Sequence, residues 1–117
     1  MWVFTQTGFL SAVRHREDAD ALVVRARDLE SIQAIADFAE ADIITHAGSD
    51  YPYRVFIKDE SWQKFLLKAV EELDYDNYKN RMHHLRDDRF CSALSSVWSA
   101  MLRTEDIDIN LRRNLRC

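Results

Sequence analysis

Two short stretches of this sequence concentrate phenols, amides, carboxylates and cations: Asp50-Tyr51-Pro52-Tyr53-Arg54 and Asp74-Tyr75-Asp76-Asn77-Tyr78-Lys79-Asn80. Tyr and Arg are the residue types in which protein interfaces concentrate their binding energy, and a phenol ring is also a platform on which a flat ligand can stack. Tyr51, Tyr53, Arg54, Tyr75, Asp76, Asn77, Tyr78 and Lys79 are therefore candidate partner-binding residues. Tyrosines at such spacings can equally close the rim of a core, with rings inside and hydroxyls at the edge. Both readings stand at this point.

Other reactive side chains do not assemble into a recognisable centre. His83 and His84 are neighbours, so on a helix they point about 100° apart and do not share one metal ion as an i, i+4 pair would. His15 and His46 fall at strand ends. Cys91, Ser92, Ser95 and Ser96 follow the histidines inside a helical pattern, without the glycine-flanked strand-turn-helix that exposes a nucleophile. A phosphate cradle needs a glycine-rich loop, and the chain has only Gly8 and Gly48. The expectation is a protein that is not an enzyme and has no metal or cofactor. Arg25 and Arg27 share one face of a strand and form a small basic strip, although Asp18, Asp20 and Asp28 around them make a solvated, neutralised face the commoner outcome.

Composition narrows the class. A chain of 117 residues with 47% hydrophobic and 31% charged residues is one globular domain in size and builds a core without disulfides or metals. The net charge of −4, with acids and bases interspersed, disfavours direct nucleic-acid binding, which needs a positive field over phosphates. Twelve of the sixteen basic residues are Arg, the side chain whose planar fork suits carboxylates and protein interfaces. Cys91 lies within a helical pattern and Cys117 ends the sequence, which indicates a small buried thiol rather than a disulfide framework. Apolar runs as short as Ala21-Leu22-Val23-Val24 fall far below the ~18 to 20 residues of a membrane span. With no basic-then-apolar leader at Met1, the expected location is the cytoplasm.

The elements that position these residues follow from periodicity. Residues 2–5, 8–14 and 21–27 alternate like strands, and Asp28 caps a helix carrying Leu29, Ile32, Ile35, Ala36, Phe38 and Ala39. Residues 41–47 and 53–58 return to strand patterns, with Tyr51 and Tyr53 on one side and Arg54 on the other. Trp62, Phe65, Leu66, Ala69, Val70 and Leu73 then repeat at helical spacing, as do Phe90, Leu94, Val97, Trp98, Met101 and Leu102 behind a cap at Asp87 or Asp88. Between them Tyr75, Tyr78, Met82 and Leu85 mark a short helix with Asp76 as its cap. The fold class is α+β: a mainly antiparallel five-stranded sheet in the order βββαββ, covered by amphipathic helices, two long ones in the C-terminal half and a short one between them. Residues 1–103 form a single domain, and residues 104–117 are either an edge strand or a disordered tail.

The segments MWVFTQTGFLSAV, LVVRARD, DYPYR, DYDNYKN and VWSAM together resemble a family of small bacterial and phage proteins with no established activity. The resemblance runs from Met1 to about Met101 and implies a bacterial or mobile-element setting, with no catalytic residue or cofactor to carry over. The expected function is a non-catalytic protein-interaction module, in a phage setting an inhibitor of a host complex in the manner of anti-CRISPR proteins, its acidic balance meeting a basic partner. The alternatives are a small-molecule or nucleotide-binding domain that stacks its ligand on the tyrosines, and a self-associating structural module in which a strand edge or the tail of one chain pairs with another as a homo-oligomer. No membrane partner is expected.

Overall fold

The computed structural model describes residues 1–106; the expectations for the tail from Ile107 to Cys117 lie outside the described residues. The chain forms two compact units, Met1–Asp74 and a second that begins at Tyr75, so the boundary falls within the tyrosine-bearing DYDNYKN stretch. Each unit is described by itself.

The first unit holds β1 (Trp2–Thr5), β2 (Gly8–Arg14), β3 (Ala21–Ala26), α1 (Leu29–Ala39), β4 (Ile44–Thr45), β5 (Tyr53–Lys58) and α2 (Asp59–Glu71). The strands make one sheet in the order β1-β2-β3-β5-β4, antiparallel at every step. β5 therefore pairs with β3 on one side and with the two-residue β4 on the other. The expected strand over residues 41–47 shrinks to Ile44–Thr45 because its flanks bond elsewhere: the Ala41 amide donates to Ala36 of α1, closing that helix, and the His46 amide donates to Pro52.

Alternation divides the sheet cleanly. Leu10, Ala12, Leu22, Val24, Val55 and Ile57 point to one side and are buried beneath Ile32, Ile35 and Ala36 of α1 and Trp62 and Phe65 of α2. Asp28 caps α1 through the Ser31 amide, 2.8 Å away, as its sequence position predicts. Ser31 is itself buried, and its hydroxyl accepts the Phe9 amide at 3.2 Å, a stand-in for the ladder partner that β3 no longer offers beyond Ala26.

The second unit contains α3 (Tyr78–Leu85) and α4 (Asp88–Leu102), which pack on each other. The cap of α3 is Asn77, accepting from the Asn80 amide at 3.0 Å, and not Asp76; Tyr75 therefore precedes the helix and does not extend its stripe. Asp87 caps α4 through the Phe90 amide at 2.9 Å. Of the expected α4 stripe, Leu94 is buried and Phe90 half-buried, whereas Val97, Trp98, Met101 and Leu102 stay exposed.

The core assignments have separable costs. Ile32→Ala, at a fully buried position, is expected to lower the unfolding free energy by about 2–5 kcal/mol, and Asp28→Ala by about 1 kcal/mol through the lost cap; urea denaturation of both variants checks the ranking.

Candidate functional site

The side of the sheet opposite α1 and α2 is the first unit's open face, and register fixes what it presents. Val13 lies opposite Val23, and Val23 opposite Phe56, which makes an apolar row across three strands. Two residues along each strand, Ser11 lies opposite Arg25, and Arg25 opposite Arg54. A concavity of about 630 Å³ lies over these rows, bounded beyond the end of β2 by His15, Arg16 and Glu17. Val13 and Phe56 are exposed there, and His15 meets the Phe56 ring edge-on at 5.4 Å.

Two guanidinium groups directly opposed across a ladder repel, at a cost of about 0.2–1 kcal/mol, and here they are held by Tyr51. Arg25 and Arg27 both stand over its ring, with Cζ 4.5 and 4.2 Å from the centroid, contacts worth about 0.5–2 kcal/mol each. Arg25 also donates from Nη2 to the buried Ser11 hydroxyl at 2.8 Å. Arg54 donates from Nη2 to the Asp50 carbonyl at 3.1 Å and from Nε to the Tyr51 carbonyl at 3.4 Å. The ring contact and the Ser11 hydroxyl hold Arg25, and the Asp50 and Tyr51 carbonyls hold Arg54, so both cations have fixed partners despite their repulsion.

Their charge is not neutralised by the described residues. Asp59 pairs with Arg14, Asp50 with Arg27 at 2.9 Å and Asp18 with Lys58 at 2.8 Å, whereas no described carboxylate pairs with Arg16, Arg25 or Arg54. The Nε of Arg25 is buried without a partner. The hydrogen bond that Asp18 accepts from Lys58 is the first cause holding the Asp18 carboxyl below its ordinary value, and the bond from the Asp20 amide is the second.

The sequence-derived candidates divide between the two units. Tyr51, Tyr53 and Arg54 belong to the first. Tyr51 does not share a side with Tyr53: its backbone is left-handed (φ 55°), outside β5, which turns its ring onto the open face beside Phe9. There it is 4% exposed beneath the arginines, while Tyr53 packs against the helix-covered core. Tyr75, Asp76, Asn77, Tyr78 and Lys79 belong to the second unit. The Tyr75 and Tyr78 rings lie 6.0 Å apart, Arg81 stands over Tyr75, and the Lys79 ammonium sits 4.5 Å from the exposed Trp98 ring. Burial first, and then Tyr75, pushes the Tyr78 phenol far above its ordinary range against the opposing pull of Arg86.

Sequence reasoning missed the Val13, Val23 and Phe56 row and the opposition of Arg25 to Arg54. The signal was the parity shared by Ser11 and Val13, by Val23 and Arg25, and by Arg54 and Phe56, which becomes a surface only once β3 is known to pair with β5. Among the described residues no cluster of His, Cys, Asp and Glu could hold a metal ion, and no helix is long and apolar enough to cross a membrane. Comparison with protein-family models, curated proteins and solved structures gives no significant match.

Two titrations check these environments. Lys58→Met is expected to raise the Asp18 midpoint toward its ordinary 3.8, read by NMR. The sign follows from the lowered carboxyl: Asp18 stabilises the fold above its unfolded pKa and loses that contribution as pH falls through its folded pKa. Tyr78 has the opposite sense, since its phenol is raised; its contribution is present below the unfolded value near 10 and is lost as pH climbs through the folded one. In an alkaline absorbance titration Tyr78→Phe is expected to remove the last phenol to ionise.

Proposed function

We propose that this protein is a non-catalytic interaction module that uses the open face of its sheet to engage an acidic surface on a protein partner. The observation that carries this reading is the directly opposed pair Arg25 and Arg54, held in place and given no described carboxylate. Beside it stand Val13, Phe56 and, farther along the sheet, Trp2, exposed apolar groups of the kind that complete an interface core around charged anchors. The chain's net charge of −4 suits a basic partner, but charge acts locally within about 10 Å at 0.1 M salt, and the charge of this face supports the opposite choice. The resemblance implies only a bacterial or mobile-element setting; inhibition of a host complex is the finer form of this proposal.

The tyrosine-stacking alternative has less support, because Tyr51 already has arginines over its ring and Tyr53, partly buried, packs against the core. Self-association has one observation in its favour: Val97, Trp98, Met101 and Leu102 leave the C-terminal half of α4 apolar and exposed. On that second reading wild type sediments as a dimer and Trp98→Glu as a monomer; a wild-type monomer at high concentration removes it.

The interaction reading is tested by affinity capture from bacterial lysate with wild type and with the double variant Arg25→Glu, Arg54→Glu. The expected result is an acidic partner that wild type retains, that is released as salt rises from about 0.1 to 1 M, and that the double variant does not retain. Equal retention by the two proteins would sink the assignment of this face.

A further inference from the structure

We infer that the groove on the open face recognises an extended acidic segment in which a carboxylate and an apolar side chain stand two residues apart. This rests on the reading of the face as a protein-binding surface and adds what that surface selects. The arginine row, Arg25 and Arg54, and the apolar row, Val13, Val23 and Phe56, are two residues apart along every strand that carries them, which is about 7 Å in extended chain. A peptide lying along the strands presents alternate side chains to the sheet at that same spacing. Its carboxylate then meets the guanidinium groups while its apolar side chain lies on Phe56 and the valines.

The polar inventory of the groove agrees with an acceptor-rich ligand. Arg25 and Arg54 spend one and two donated hydrogen bonds on the protein, out of five N–H groups on each guanidinium. His15 accepts the Glu17 and Asp18 amides at Nδ1, at 3.1 and 3.2 Å, so its proton resides on Nε2 and that nitrogen is a donor. Glu17 is the single acid of the lining. The apolar row offers no polar side-chain atom, so a nucleobase placed there would lose the edge contacts that identify it, whereas an aliphatic or aromatic side chain loses nothing. The guanidinium fork suits a carboxylate in bidentate geometry.

The test is an NMR titration of the full-length protein with capped peptides of sequence threonine-glutamate-threonine-phenylalanine-threonine. Parallel titrations use peptides with lysine for glutamate, serine for phenylalanine, or glutamate and phenylalanine made adjacent, and use adenosine monophosphate. The parent peptide is expected to shift the Val13, Val23, Arg25 and Phe56 amides, with affinity falling about tenfold or more for the lysine peptide and measurably for the other two peptides. Phe56→Ala, at a 44% exposed position, is expected to keep the fold by circular dichroism and to lose the preference for phenylalanine over serine. Equal affinity for all four peptides, shifts confined to other surfaces, or tighter binding of the nucleotide than of the parent peptide overturns the inference. If the peptides fail while the double arginine variant still loses its lysate partner, the spacing rule falls and the acidic-partner reading stands. If both fail, the face itself is wrongly assigned.

Discussion

Six consecutive pairs join β3 to β5, from Ala21 opposite Lys58 to Ala26 opposite Tyr53, and most of the first unit depends on that register. On the covered side it sets Leu22 against Ile57 and Val24 against Val55 in the core beneath α1 and α2. On the other side it sets Val23 against Phe56 and Arg25 against Arg54. A slip of one residue would exchange these sets, placing guanidinium groups under the helices and valines in water. Burying an unpaired charge costs several kcal/mol, so the arginines that form the open face also help to specify the register that buries the core.

Tyr51 couples the two roles. A non-glycine residue in left-handed backbone costs about 1 kcal/mol, and this one sits between Asp50, which pairs with Arg27, and Pro52. The offsetting contributions are the cation–π contacts of Arg25 and Arg27 and the burial of the ring against Phe9. Phe9 in turn stacks on Phe4 at 4.7 Å and meets Trp2 edge-on at 5.8 Å, so the aromatic end of the face and its arginine row form one continuous packing arrangement. Turn strain, charge repulsion and aromatic contact are balanced within a few residues. The guanidinium groups are therefore fixed before any ligand arrives, which reduces the ordering cost of binding.

The elements were legible because their signals are local. Alternation over Trp2–Thr5, Gly8–Arg14 and Tyr53–Lys58, the Asp28 cap and the six-residue stripe from Trp62 to Leu73 each lie within a few turns of chain, and α+β followed from their order. What was not legible depends on partners distant in sequence. Trp62 and Phe65 are buried, but Val70 on the same stripe is exposed and Leu73 lies beyond the end of α2, and periodicity cannot report how far along a helix the packing reaches. Tyr51 looked like a strand residue two places before Tyr53 and on its side; only its positive φ separates the two. The Arg25 and Arg54 pair joins strands separated by α1 and β4 in the chain, so no window of sequence contains it.

The same distinction between local and global bears on charge. A net −4 says nothing of where the charges sit: Glu60 and Glu72 pair with lysines along α2, Asp59 with Arg14, Asp18 with Lys58 and Asp50 with Arg27, and none of these carboxylates pairs with Arg25 or Arg54. These are exposed pairs of small individual worth, yet each removes a carboxylate from the group that could have answered the open-face arginines. The charge available to a partner is what remains after such pairing, and over Ser11, Arg25 and Arg54 the remainder is positive. A chain acidic in total can thus present a basic, apolar-bordered surface without contradiction, because screening confines what a partner senses to the side chains within its reach.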